Sequence, residues 1–318
     1  MLPETKSPIN PFTQSLNGIL KDTDFPQNPN EAWDVAVDCV DYPVEIVPLF
    51  WKNNKTDEYE TAEGVTNTGR LNQIFGINVD RDLTGKFETI GTVTGLYGTL
   101  PTAEAYRNLQ GTLTEAGVES RPVRVYVSGN GGRHELVVSL GKKASPRPNI
   151  EVDMAIVFNT SVDGSKLQAI RLVAWSSEGH EILGINEADF DVNSRHTKTL
   201  GERHASNVLV VSKLVETWES DIIPMMSLMS DGEFDKETVL SLLDTLLEQS
   251  NIPDKHSVAI RSKISDEKTA FDVLNTVSGY FGELSDDKPE RVDTFKKNIN
   301  KNIKNVLKKF GLDAEKLK

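Results

Sequence analysis

The chain has 318 residues, 37% hydrophobic and 26% charged, enough for one large globular domain or two modest ones. Its formal charge of −13, taken as a total, argues against a dedicated duplex-DNA binder. The single cysteine, Cys39, excludes an internal disulfide and a cysteine-only metal site; the lack of a cleavable leader pattern or a bilayer-length apolar run sets the expectation of a cytoplasmic location with no membrane attachment.

Residues 1–30 are polar and carry five prolines with few apolar anchors, which predicts a flexible N-terminal arm. From Asp34 to Trp51 the valines at 35, 37, 40, 44 and 47 alternate enough to predict strand, with Pro43 and Pro48 pushing it to an edge. Residues 53–67 read as loop. Ile77–Val79 and Phe87–Val93 flank a turn at 82–85 and predict a hairpin. Pro101 opens a helix that Gly117 closes, with Ala103, Tyr106, Leu109 and Leu113 as its buried stripe. Two more hairpins follow. One joins Val123–Val127 to Glu135–Leu140 across Asn130-Gly131; the other joins Met154–Asn159 to Leu167–Trp175 across Asp163-Gly164. A long helix is expected from the Ser194–Arg203 region to Pro224, with Thr199 and Glu202 at capping-box spacing, and Pro224 should end or kink it. Helices are predicted over 235–249, 266–281 and 290–310. Strands first and helices last predict an α+β fold: an antiparallel sheet of β-hairpins packed on a long helix, with a helical C-terminal portion. The expected division is an arm (1–30), an α+β core (31–230) and a helical region with a basic tail (231–318).

The charge is unevenly spread. Residues 119–148 hold six cations against Glu119 and Glu135, and residues 296–318 hold eight lysines against Asp313 and Glu315. Arg124 and Tyr126 are two apart and share a strand face, and a cation beside an aromatic is what a single-strand track needs. The candidate nucleic-acid contacts are therefore Arg121, Arg124, Tyr126, Arg133, Lys142, Lys143 and Arg147, extended by Lys166 and Arg171 on the second hairpin. Arg195, Lys198 and Arg203 add a cationic helix start, where unpaired N–H groups attract phosphate. For each group the alternative is an ordinary solvent-facing or internally paired charge. The C-terminal lysines interleave with Ile299, Ile303, Val306, Leu307 and Phe310, which predicts a helix docked by its apolar stripe on the acidic body; contact with nucleic acid or a neighbouring subunit is the competing reading. Ser128–Arg133 lacks the Gly-Lys-Ser/Thr ending of a phosphate loop and reads as a turn. His134, His180, His196, His204 and His256 have no metal-site spacing, so neither metal nor cofactor is expected, and no catalytic motif is present.

Val79–Asp82 with Gly85, Ile90–Val93, Thr102–Tyr106, Phe158–Ser165, Ile170–Val173, Arg195–Thr197 and Phe271–Tyr280 together resemble segments, in matching order, of a phage/plasmid-like protein family carrying a domain of unknown function. The resemblance covers about residues 75–285. It departs where that family has Cys-x-Asn and this chain has Ala174-Trp-Ser176, which leaves any role of that polar pair open. The resemblance implies a phage or plasmid gene in nucleic-acid metabolism. The order hairpin, helix, strands, long helix is also similar, at the level of fold, to phage single-strand annealing proteins of the Red-beta-like and Erf-like kinds. The expectation is a non-enzymatic single-stranded DNA-binding protein acting as a homo-oligomer, with strand annealing and with phage or host replication and recombination proteins as partners. The alternative is an acidic interaction protein that inhibits or scaffolds a DNA-processing partner without binding DNA.

Overall fold

The computed structural model describes residues 18–53, 55–65, 71–80, 85–94, 100–129, 131–147, 150–163, 168–184, 213–287 and 289–312. The fold is α+β with antiparallel pairing and a helical C-terminal part. Chain contacts divide it into two compact units. One comprises Met1–Val138, Val157–Ile170 and Val192–Val208; the other Ser139–Ile156, Arg171–Asp191 and Leu209–Lys318.

A six-stranded sheet has the order β1-β8-β9-β10-β11-β12, formed by β1 (Gly18–Leu20), β8 (Arg121–Ser128), β9 (Arg133–Arg147), β10 (Ile150–Ser161), β11 (Ala169–Ser176) and β12 (Glu181–Gly184). β9, β10 and β11 each pass from one unit into the other along the chain. In the first unit β1 pairs antiparallel with β8, so residues 18–30 are not wholly an arm: they contribute an edge strand and the start of a helix. Residues 1–17 lie outside the described ones.

That helix, α1 (Pro29–Asp38), replaces the strand expected from Asp34. The Asn28 side chain accepts from the N–H groups of Asn30 and Glu31, and Pro29 sits where its missing N–H costs nothing. Ala32, Trp33, Ala36 and Val37 then form one buried face, and the Trp33 indole donates to the Ser120 carbonyl at 3.2 Å. The alternating valines imitated a strand because two of them share the helix with this face. α2 (Thr102–Glu115) buries Ala103, Tyr106, Leu109 and Leu113, as the spacing predicts. Tyr106 meets Phe158 edge-on, ring centroids 6.1 Å apart. Burying rings of this size contributes about 1.5–3 kcal/mol each.

A smaller sheet holds β2 (Val44–Pro48), β5 (Glu63–Val65), β6 (Leu71–Val79) and β7 (Glu88–Thr94), with β6 pairing antiparallel to the other three. Between β2 and β5 the stretch expected to be loop forms a two-stranded ribbon, β3 (Phe50–Lys52) with β4 (Tyr59–Thr61). Asn53 turns the chain: its carbonyl accepts from Asp57 N–H at 2.8 Å and its side chain from Lys55 N–H at 2.9 Å. Asp57 follows at φ 62°, in the left-handed region that a short aspartate tolerates.

The second unit ends in helices. Residues 213–230 form α3, whose middle, Trp218–Ile222, is a π-turn just ahead of Pro224. Of the two expectations for Pro224, an end or a kink, the helix does not end there: it continues, and the wider turn accommodates the missing N–H. α4 (Lys236–Gln249) is capped by Asp235, whose carboxylate accepts from Thr238 N–H at 2.7 Å. Then come α5 (Asp254–Lys263), which the sequence reading missed, α6 (Ala270–Asp287) and α7 (Pro289–Lys309). Trp218, Leu243, Leu246, Phe271, Phe281 and Ile303 are in the core of these helices.

Candidate nucleic-acid interface

Most of the expected cationic track is turned inward or matched by carboxylates. β8 is an interior strand, between β1 and β9, and α1 packs on it. Arg124 is accordingly buried, at 5% exposure, and Tyr126 is half-buried opposite Ile19. The pair shares parity, as predicted, but not an open face. Arg121 donates to Asp22 in the turn after β1. Arg133 meets Asp163 at 3.3 Å. That contact joins the two turns legible in the sequence: Gly132 carbonyl accepts from Val162 N–H at 2.8 Å, and a Cβ on Gly132 would stand 2.9 Å from the Asp163 side chain. The glycine-rich segment is thus a packed corner.

In the second unit Lys142 reaches Glu219 at 2.7 Å, and Lys143 reaches Glu151 on β10 at 2.8 Å. The Glu151 hydrogen bond and nearby Asp153 raise the Lys143 ammonium above the usual lysine range. Arg147 holds both oxygens of Asp272, at 2.7 and 2.8 Å. Burial would raise the Asp272 carboxyl, but N–H groups of Lys268 and Thr269 and the Arg147 guanidinium together bring it lower. Arg171, also 5% exposed, pairs with Glu181 inside the protein. Asn300 of α7 donates to the same carboxylate at 3.1 Å and accepts from Gly184 N–H. Burial pushes Glu181 up, yet Arg171, Lys296 and Asn300 outweigh it and hold the group charged. Arg124 and Arg171 are therefore corrected from solvent contacts to interior groups, because sheet pairing and helix packing cover them. Arg121, Arg133, Lys142, Lys143 and Arg147 are matched by acids that sequence spacing could not bring beside them. Lys166, Arg195, Lys198 and Arg203 lie outside the described residues, as does the expected helix start.

The histidines that are described make local polar contacts. His134 Nε2 lies 2.5 Å from Tyr42 Oη and its Nδ1 3.0 Å from Thr102 Oγ1; burial pushes it down to about 3. His256 contacts Tyr280 Oη at 2.8 Å. Ser176, His180 and Asn275 line up at 3.0 and 3.2 Å, in outline like a nucleophile and base. Ser176 Oγ, however, also accepts from the N–H groups of Glu178 and His180 and so closes its own turn. His180 packs tightly on α6, where a Cβ at Gly282 would lie 2.6 Å from His180 Cβ. Among the described residues no group of histidine, cysteine and carboxylate side chains is arranged to hold a metal, and no helix is long and apolar enough to cross a membrane.

Two solvent-facing features remain. On the β3–β4 ribbon Phe50 lies opposite Thr61 and Lys52 opposite Tyr59. Residues two apart, and cross-strand partners, share a face, so Phe50, Lys52 and Tyr59 stand together on one side and Trp51 with Glu60 on the other. Phe50 is 59% exposed, Trp51 48% and Tyr59 73%. Lys52 also pairs with Asp57 at 2.6 Å. The second feature is the outer side of α7, where Lys297, Lys301, Lys304 and Lys308 are all exposed. Sequence reading missed the ribbon because its polar turn dominated the window; the adjacent Phe50-Trp51 was the signal available. No family model, curated protein or solved structure matches the chain.

Proposed function

We propose that the protein is a phage- or plasmid-type, non-catalytic single-stranded DNA-binding protein, and that unpaired bases stack on the open face of the β3–β4 ribbon. The observation that carries this reading is the grouping of Phe50, Lys52 and Tyr59 on one exposed face. Sequence-independent single-strand binding combines aromatic platforms with cations, each stacked base being worth about 1–3 kcal/mol. The criterion that pointed to Arg124 and Tyr126 is thus met on a different hairpin. Homo-oligomer formation, strand annealing and association with replication or recombination proteins belong to the same proposal, as does a cytoplasmic location.

Trp51 provides the test. Trp33, Trp175 and Trp218 are buried, so among the four tryptophans only Trp51 is substantially exposed. Titrating a thymidine oligonucleotide at low salt should quench or shift its emission, and Phe50→Ala with Tyr59→Ala should weaken binding at least tenfold. Equal affinity of the double variant, or no binding at micromolar protein and oligonucleotide, would overturn the reading.

A second reading has its own support. The ribbon's other face places Trp51 beside Glu60, and the chain carries −13 overall. An aromatic anchor with acidic neighbours suits a basic protein partner, as expected of an acidic factor that inhibits or scaffolds a DNA-processing protein. Trp51→Ala with Glu60→Lys should then abolish capture of that partner, and retention of the same partner would count against it.

A further inference from the structure

We infer that the outer ridge of α7 is a second, independent contact site, for the sugar-phosphate backbone of nucleic acid. The helix has three of its sides already committed. Val292, Ile299, Ile303, Val306 and Leu307 are buried. On one flank the Asn298 and Asn302 amides donate to the Ser250 and Gln249 carbonyls at the end of α4, both at 3.0 Å. On the other flank Asn300 engages Glu181 and Gly184. What faces solvent is Lys297, Lys301, Lys304 and Lys308. At 100° per residue these four fall within an arc of about 60°, opposite the buried stripe, and run about 16 Å along the axis.

Lys301 and Lys304 differ from the hairpin cations that carboxylates hold, and from Lys297 and Lys308, which make contacts within the protein. From Thr294 to Leu312 there are six lysines and no aspartate or glutamate. Among the described residues no carboxylate pairs with Lys301 or Lys304. The helix dipole accounts for Lys308 and Lys309, which lie in the last turn, but not for Lys301 and Lys304, which precede it. Solubility does not account for them either, since added cations bring a protein of charge −13 closer to neutrality.

The shape of the ridge selects its ligand. A membrane-surface helix inserts its apolar face, and in α7 that face is already used. A single straight row fits a line of charge better than a plane, and phosphates recur about every 3.4 Å of rise along a strand. Lysines are flexible point charges without the fixed fork of arginine, so they bind phosphates without reading bases.

The test is fluorescence anisotropy with a labelled thymidine 20-mer, and with a duplex of the same length, across a series of salt concentrations. Each engaged lysine should contribute about −0.7 to the slope of log affinity against log salt for a single strand. Lys301→Glu with Lys304→Glu should weaken low-salt binding at least tenfold and reduce the slope by about 1.4, with unchanged thermal unfolding. Equal affinity and slope for the double variant would overturn the proposal. So would full displacement of the oligonucleotide by 10 mM inorganic phosphate, or a lysine-dependent affinity for phosphatidylserine vesicles that exceeds that for the oligonucleotide. The ribbon is tested separately: Phe50→Ala with Tyr59→Ala should remove the Trp51 response and leave the salt slope intact. In the unmodified protein, a lysine-dependent salt slope without any Trp51 response would refute the ribbon alone, and a Trp51 response with a slope that the lysine double variant leaves unchanged would refute the ridge alone.

Discussion

Lys142 and Lys143 of β9 and Lys301 and Lys304 of α7 are similar side chains with opposite fates. The β9 pair is matched by Glu219 and Glu151, whereas among the described residues no carboxylate pairs with Lys301 or Lys304. The difference follows from the elements. A strand within a sheet has neighbours about 4.8 Å away on either side, so Lys143 meets Glu151 of the next strand, while Lys142 meets Glu219 of α3. On the outward side of a surface helix the nearest neighbours are those three and four residues along its own chain, and for Lys301 these are lysine and asparagine. Counting cations along a sequence therefore does not separate the two zones.

This contrast can be broken most directly inside the protein. Glu181→Ala would leave Arg171 buried without its carboxylate, and should cost about 3–5 kcal/mol in urea denaturation. A loss under 1 kcal/mol would mean that the pair is open to water, and Arg171 would return to the list of surface contacts. His134 gives the next largest effect. Its imidazole titrates near 3 when folded and near 6.5 when unfolded, so the unfolded chain binds more protons between those values. Stability should be complete above about pH 6.5 and fall by up to about 1.4 kcal/mol per pH unit on acidification towards 3. A His134→Gln protein should show a flatter profile over that range, and an identical profile would assign the acid sensitivity elsewhere.

Smaller effects sharpen the comparison at the surface. Asp272→Ala removes the partner of Arg147 and the acceptor of the Lys268 and Thr269 N–H groups, and should cost about 1–2 kcal/mol. Lys143→Ala should cost under about 1 kcal/mol, since both ends of that pair are more than half exposed, and should leave oligonucleotide affinity unchanged. Lys301→Ala with Lys304→Ala should change stability by under about 0.5 kcal/mol, while still lowering affinity. If Lys143→Ala weakened binding as much as the α7 pair does, the two zones would not differ as argued.

Much of the architecture was written locally. The stripe of α2 and the apolar rows of α4 and α7 depend on nearby residues, and each gives its element where the pattern places it. Two local signals were outweighed. Alternating valines suggested a strand across α1, although Asn28-Pro29 is a helix start, and only the burial of Ala32, Trp33, Ala36 and Val37 on one face decides between them. α5 buries only Ile260, too little periodicity to stand out.

The candidate surface was far less legible. Composition determined that the molecule is acidic with two basic zones, and periodicity determined that α7 turns lysines away from an apolar stripe. Only tertiary structure decided that Arg124 and Arg171 lie inside, that Asp22, Asp163, Glu219, Glu151 and Asp272 meet the remaining hairpin cations, and that Phe50 and Tyr59 stand in solvent. Helical phase repeats every few residues and can be read from a window. Charge pairing and exposure depend on residues such as Arg147 and Asp272, which are 125 positions apart in the chain and meet only when it folds.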